Sequence, residues 1–141
     1  MLKIKRLDHV AICVPDIDAA LPVYERLLGL HVVAREIVAS QRTEAALLRI
    51  GETNLELVAP KGNEGLERFL ERRGTGLHHI AVEVESIEGA LAELARLGVP
   101  LIDSVPRIGA RADRVAFVHP KATGGVLVEL VESREHSGTE S

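Results

Sequence analysis

The stretch DHVAICV at residues 8–14 decides the fold, because the chain repeats it as HHIAVEV at residues 78–84. The match continues downstream with the same offset of 70 residues, since DIDAAL at 16–21 aligns with SIEGAL at 86–91. An internal repeat of this kind indicates that one structural unit occurs twice in the chain. We therefore expect two copies of a single motif that share one core.

A later pair of matching segments places one acidic residue in each copy. NLELV at 54–58 aligns with LVELV at 127–131, which sets Glu56 against Glu129. The offset is 73 residues here, so the two copies differ in length by three residues. Each copy thus supplies a histidine from its first strand and a glutamate from its last strand.

The spacing of apolar residues predicts the same βαβββ pattern in both copies. Alternation predicts strands, and recurrence every three to four residues predicts helices that end at Gly29 and Gly98. In module one the predicted elements are a strand at 7–14, a helix from Asp16, and strands at 31–38, 43–50 and 55–58. In module two they are a strand from Leu77, a helix from Ser86, and strands at 99–103, 115–118 and 126–131. The predicted fold class is therefore α+β.

The predicted domain is a single unit built from these two modules. Module one covers residues 5–60, a connector with a short helix covers 61–76, and module two covers 77–132. The segment 133–141 is polar and has no periodic pattern, so we expect a disordered tail there.

The composition excludes several classes of function. The 141 residues are 46% hydrophobic and 27% charged, which is ordinary for a globular protein, and no apolar run approaches the ~20 residues that span a membrane. A net charge of −4 and an aromatic content of 2% argue against nucleic-acid binding, which needs a basic surface and stacking rings. The single cysteine and the lack of an N-terminal signal sequence favour a cytoplasmic location.

The repeated histidines and glutamates are candidate metal ligands. A lone histidine such as His9 in an apolar strand is more often a hydrogen-bonded core residue, and a strand glutamate can simply face solvent. Their recurrence at matched places favours metal ligands over these structural roles. If the copies pair about a twofold axis, four side chains would converge: His9, Glu56, His79 and Glu129. Two imidazoles and two carboxylates suit Zn, Co, Ni, Mn or Fe(II). The neighbouring His78 points to the opposite face of its strand.

Several stretches of the chain resemble a known family. DHVAICVPD, ELVAP, GLHHIAVEV and PRIGA, with the more specific string FVHPKATGGVLVELVE at 117–132, resemble the methylmalonyl-CoA epimerases. That family belongs to the vicinal oxygen chelate superfamily of paired βαβββ modules, which also contains glyoxalase I and the bleomycin-resistance proteins. The resemblance covers residues 7–132, nearly the whole chain.

The resemblance implies a function and a set of site residues. It implies a metal-dependent epimerase that interconverts (2R)- and (2S)-methylmalonyl-CoA through a metal-stabilised enolate, with one divalent ion, Co2+ by family preference, on His9, Glu56, His79 and Glu129. Two bases must act on opposite faces of C2, and these carry over to Glu129 and Glu44. The resemblance also implies an acyl-CoA substrate and a homodimer.

A local excess of basic residues predicts where coenzyme A could bind. Four basic residues face one acid, Asp113, over a short stretch: Arg107, Arg111, Arg114 and Lys121. Of these, Arg107 and Lys121 are the candidate substrate-binding residues, although a solvated loop would have the same composition.

Two other functions are compatible with the same fold. A glyoxalase-type isomerase or lyase would use the same four ligands on a thiol adduct, and a bleomycin-resistance-like protein would bind without catalysis. The HPK string favours the epimerase over the first. The occupation of all four ligand positions favours it over the second.

Overall fold

The computed structural model describes residues 1–133, so the predicted disordered tail lies outside the described residues except for Ser133. Eight strands and three α-helices are present in this part of the chain. They are β1 Ile4–Cys13, α1 Ile17–Leu28, β2 Val32–Val38, β3 Thr43–Ile50, β4 Thr53–Pro60, α2 Glu64–Arg73, β5 Gly76–Val84, α3 Ile87–Arg96, β6 Arg107–Ile108, β7 Arg114–Val118 and β8 Val128–Glu132.

The chain forms two compact units that divide within strand β1. The first unit is His9–His78, and the second contains Met1–Asp8 together with the chain from His79 onward. In the first unit the strand order is β2-β3-β4-β1. In the second, the strand order is β5-β8-β7-β6. Each unit therefore contains a four-stranded arrangement with the same connectivity.

Helix α1 covers one face of the first unit, which we call its helix face. Asp16 accepts a hydrogen bond from the Asp18 amide at 3.0 Å, so a carboxylate satisfies a free N–H group at the start of this helix. Ile17 and Leu21 pack on Leu48 and Leu57, residues that alternate along β3 and β4. The side chains between them point to the other face, which we call the far face.

Helix α3 covers the corresponding helix face of the second unit. Ser86 accepts a hydrogen bond from the Gly89 amide at 3.1 Å at the start of the helix. Ile87 and Leu91 pack there on Ala116 of β7 and Leu130 of β8. The far face of this unit again carries the residues that alternate with the helix-packed ones.

The structure confirms the predicted α+β fold of two βαβββ modules, but one predicted strand is wrong. At 99–103 there is only an isolated bridge, between Leu101 and Val118. Pro100 has no amide hydrogen to donate, and the Ile102 and Asp103 amides both bond to the Phe117 carbonyl, so a regular ladder cannot form. The edge strand is instead the two-residue β6, within the predicted loop. No helix in residues 1–133 is long and apolar enough to cross a membrane.

Candidate active site

The first unit holds a buried pair formed by His9 and Glu56. Strands β1 and β4 run parallel, with Ala11 of β1 opposite Glu56 of β4. Leu55 and Leu57, which flank the glutamate, belong to the packing around α1, so Glu56 points to the far face. His9 Nε2 lies 3.4 Å from Glu56 Oε1, and both side chains are only 7% exposed.

The second unit holds the equivalent pair, His79 and Glu129. Strands β5 and β8 also run parallel, and Ala81 lies opposite Glu129. The glutamate therefore pairs in each unit with the alanine two residues beyond the histidine. His79 Nε2 lies 3.2 Å from Glu129 Oε1, with both side chains 6% exposed.

These pairs have donors that fit a divalent metal ion. Each unit presents one imidazole nitrogen and one carboxylate oxygen next to each other in a buried place. Burying a carboxylate is costly unless a cation or hydrogen-bond donors compensate its charge. Imidazole with carboxylate is a ligand combination that zinc, cobalt, nickel, manganese and iron all accept.

Neighbouring His78 lies in a different environment from His79. Its ring makes an edge-to-face contact with Phe69 of α2, with the ring centroids 5.1 Å apart. Arg73 lies over the same phenylalanine ring, 5.6 Å from its centre. The alternation of side chains along β5 thus separates the two adjacent histidines, as the sequence suggests.

Glu44, the predicted second base, lies on the helix face of β3. Its partner in β4 is Ala59, which belongs to the α1 core, whereas Glu56 is paired with Leu47. Directly paired residues share a face and successive residues alternate. Glu44 and Glu56 therefore lie on opposite faces of the first unit.

The Glu44 carboxylate is also engaged with basic residues on that face. Arg35 Nε donates a hydrogen bond to Glu44 Oε2 at 3.0 Å, and Lys61 Nζ lies 3.7 Å from Glu44 Oε1. Arg35 also reaches Asp18 of α1 at 2.7 Å, and these hydrogen bonds raise the pKa of its guanidinium. The role of Glu44 as the second base stays a prediction.

Two of the predicted basic residues already form ion pairs with acids that lie outside the loop at residues 106–114. Arg107 Nη2 donates a hydrogen bond to Asp103 Oδ2 at 3.2 Å. Arg114 forms ion pairs with Glu88 and Glu132, and its hydrogen bond holds the pKa of Glu88 below the ordinary value. The local sequence shows one acid against four basic residues, but the fold brings in several more.

Arg111 belongs to a buried charge network in the second unit. Its Nη2 atom lies 3.2 Å from Asp8 Oδ2 and 3.3 Å from Asp113 Oδ2. Arg6 lies 3.2 Å from Asp8 Oδ1 and 2.6 Å from Glu83 Oε1. The network ties the loop before β7 to the first half of β1, and sequence reasoning did not identify it because its members are far apart in the chain.

Lys121 is the remaining basic candidate, and it lies in the short turn Pro120–Thr123. Its amide donates a hydrogen bond to Nδ1 of His119 at 3.0 Å, which orders the start of the turn. The side chain is exposed and forms no ion pair with any residue from Met1 to Ser133. Lys121 therefore has a charged group available for an anionic ligand.

Phe117 is a site residue that sequence reasoning missed. It pairs directly with Glu129 and so lies on the same far face. Its ring makes an edge-to-face contact with His79, with centroids 5.4 Å apart, while Arg107 lies over it at 5.8 Å. The repeat aligns Phe117 with Leu47, which pairs with Glu56 in the same way. This matching position in the repeat is the feature of the sequence that could have identified Phe117.

The comparisons with known proteins agree with this fold. The model of the glyoxalase/bleomycin resistance protein/dioxygenase superfamily matches residues 8–117. The mitochondrial methylmalonyl-CoA epimerase of Homo sapiens is 35% identical over 91% of this chain and 74% of that protein. The methylmalonyl-CoA epimerase of Mycobacterium tuberculosis superposes with a TM-score of 0.88 at 36% identity, over 94% of this chain and 92% of that one. A variant of the Streptomyces coelicolor methylmalonyl-CoA epimerase in complex with 2-nitronate-propionyl-CoA superposes with a TM-score of 0.89 at 32% identity, over 94% of this chain and 96% of that one.

These matches define the class of protein. The chain belongs to the glyoxalase/bleomycin resistance protein/dioxygenase superfamily. Its relatives and structural neighbours named above are methylmalonyl-CoA epimerases, which are isomerases. The resemblance and the enzyme class predicted from the sequence are therefore confirmed.

Proposed function

We propose that this protein is a metal-dependent epimerase that interconverts (2R)- and (2S)-methylmalonyl-CoA by removing and returning the proton at C2. The observation that carries the proposal is the duplicated His–Glu pair, which occupies the same register in both units. The names of the relatives support the substrate, and the bound analogue in the Streptomyces coelicolor structure supports an acyl-CoA.

We assign His9, Glu56, His79 and Glu129 to one metal ion. Of these, His9, His79 and Glu129 form a group able to hold an ion. Chain connectivity also supports the assignment. His9 directly follows Asp8 in β1, and Asp8 belongs to the same unit as His79 and Glu129. When bound, a divalent ion there would act as a Lewis acid towards the thioester carbonyl. Cobalt, by family preference, remains a prediction.

Glu129 is the protein group that we assign to proton transfer at one face of C2. Its carboxylate is buried beside His79, so little water competes for the proton that it holds. Inversion at C2 requires a second group on the other face, because one carboxylate cannot reach both sides of the carbon. Glu44 is the residue that the resemblance suggests for this second group, and its role stays a prediction.

Lys121 is our first choice for a contact with the phosphates of coenzyme A. Its charge is exposed, whereas Arg107 already bonds to Asp103 and lies over the Phe117 ring. An ion pair that already exists must be weakened before its arginine can bind a new anion. Arg107 is therefore the weaker candidate. A homodimer and a cytoplasmic location also remain predictions.

Proton exchange is the experiment that tests the proposed reaction. Purified protein with added Co2+ is incubated with (2S)-methylmalonyl-CoA in D2O, and NMR follows both deuterium incorporation at C2 and formation of the other epimer. We expect metal-dependent incorporation with inversion. An active metal-loaded preparation of a known epimerase is the control for the assay. If the metal-loaded protein shows no deuterium incorporation at C2 and no inversion, the proposed epimerase function is wrong.

A further inference from the structure

Phe117 is the large apolar side chain that the second unit places beside Glu129, the residue assigned to proton transfer. The two residues are direct partners in the antiparallel strands β7 and β8, and such partners have Cβ atoms about 4.5–5.5 Å apart on one face. The Phe117 ring also contacts His79 edge to face, and His79 Nε2 lies 3.2 Å from Glu129 Oε1. Phe117 therefore lines the part of the far face that carries this carboxylate.

The other apolar side chains on this part of the far face are already covered. Three of them share the face by register and form a buried cluster of their own, with exposed fractions of 0%, 3% and 1%: Ala81, Val115 and Val131. Phe117, by contrast, is half-buried. Within strands β5, β7 and β8 of the second unit, Phe117 is thus the far-face apolar side chain that has surface left to contact a ligand.

The equivalent position in the first unit does not have this exposed surface. The repeat aligns Leu47 with Phe117, and Leu47 pairs with Glu56 as Phe117 pairs with Glu129. Leu47 is nevertheless only 1% exposed. Of the two repeated positions, only that of Phe117 therefore offers apolar surface to a bound molecule.

Contacts within the second unit hold the backbone and the ring of Phe117 in place. The Phe117 amide donates a hydrogen bond to Asp103 Oδ2 at 2.8 Å, and the Phe117 carbonyl accepts hydrogen bonds from the Ile102 and Asp103 amides. The Arg107 guanidinium lies over the ring, 5.8 Å from its centroid. A ring that moved aside would lose its favourable contact with this cation, so it forms a firm boundary for a ligand.

We propose that Phe117 determines the size of the 2-alkyl group that this protein accepts on its malonyl thioester substrate. The inference rests on the proposed function. Glu129 must come within about 3–3.5 Å of the reacting C2 centre to move its proton. The alkyl group is the one apolar substituent of C2, and burial against the Phe117 ring removes its surface from water. A larger alkyl group needs more room against a fixed ring, and one methylene in an apolar pocket changes discrimination by about 10–200-fold.

Two substitutions that change the size of the side chain in opposite directions test this role. Leucine occupies the equivalent position 47, so Phe117→Leu introduces a residue that this register accepts and enlarges the space beside Glu129. Phe117→Trp reduces that space. The measured quantity is kcat/KM for ethylmalonyl-CoA divided by kcat/KM for methylmalonyl-CoA, at saturating Co2+. We expect this ratio to rise by about tenfold or more in Phe117→Leu and to fall in Phe117→Trp.

Phe69→Leu is the matched control. Phe69 contacts His78 edge to face and has Arg73 over its ring, which is the same arrangement around a histidine that is not a proposed ligand. Its ratio should equal that of the parent protein, and bound metal is measured in every variant. An unchanged ratio in both Phe117 variants would overturn the proposal. Loss of metal by both variants would also overturn it, because Phe117 would then act through His79 and not on the substrate.

The parent protein separates this proposal from the proposed function. If the metal-loaded parent epimerises neither thioester, the proposed function is wrong. Calorimetric Kd values for the two thioesters then give the corresponding ratio without turnover. A shift of that ratio in Phe117→Leu supports the role of Phe117 in selecting the alkyl group, whereas a constant ratio overturns it.

Discussion

His79 Nε2 lies 3.2 Å from Glu129 Oε1, and the glutamate stands opposite the alanine two residues beyond that histidine. The same relationship joins His9 and Glu56 at 3.4 Å in the other unit. Two parallel strand pairs with the same register thus present the same two donors. The sequence repeat therefore gives each unit the same His–Glu pair, because the register decides which side chains lie next to each other.

His79→Ala should abolish tight metal binding, since it removes one of the two imidazoles. The matched control is His78→Ala, which changes the adjacent residue on the opposite face, where the ring contacts Phe69. Metal content after reconstitution with Co2+ and dialysis measures the effect. Equal metal retention by the two variants would contradict the assignment of His79.

Glu129→Gln should impair the enzyme more than Glu56→Gln does. Both substitutions replace a proposed carboxylate ligand by a neutral amide, but only the change at Glu129 also removes a base, which typically costs about 10²–10⁴ in rate. Epimerisation rates at saturating Co2+ compare the two variants, with bound metal measured in parallel. If Glu56→Gln is the slower enzyme at equal metal content, then Glu129 is not the base.

Lys121→Ala should raise KM for methylmalonyl-CoA more than KM for the corresponding pantetheine thioester, which lacks the nucleotide phosphates. Lys121 is exposed and carries an available charge, so its removal should weaken the contact with phosphate. Arg114→Ala is a suitable control because Arg114 is paired with Glu88 and Glu132. Equal changes in KM for both thioesters would show that Lys121 does not contact the nucleotide end.

Cys13 should make the folded state less stable in alkaline solution. Burial raises the pKa of its thiol from 9.0 to about 11. Between these values the unfolded chain releases the proton and the folded chain retains it, so stability falls as pH rises. Urea unfolding at about pH 8 and about pH 10 should show that Cys13→Ala loses about 1 kcal/mol less over this range than the parent protein. Identical losses in both proteins would contradict the prediction.

The duplicated stretch at residues 8–14 was sufficient to predict the fold class and the four candidate ligands. It carries two kinds of periodicity, the alternation within each strand and the recurrence of the whole motif along the chain. Histidine and glutamate stand out in such apolar strands, and their matched positions distinguish them from ordinary core or surface residues. Fold and ligand candidates could therefore be predicted without three-dimensional information.

The face on which Glu44 lies could not be predicted in the same way. The strand reads TEAALLRI, and its four central residues Ala45–Leu48 are all apolar, so no alternation marks which side chains meet α1. Only the pairing of Leu47 with Glu56 sets the phase, and a shift of one residue exchanges the faces. That pairing places Glu44 with Arg35 on the helix face.

The sequence by itself determined the repeat, the two βαβββ modules and the residue types of the candidate site, because these depend on periodic patterns along the chain. Tertiary structure decided which charged side chains are already paired. Asp8 lies more than 100 positions from Arg111 in the chain, yet the two are 3.2 Å apart in the fold. Ion pairs between distant segments depend on how strands and loops pack, and no local pattern records them.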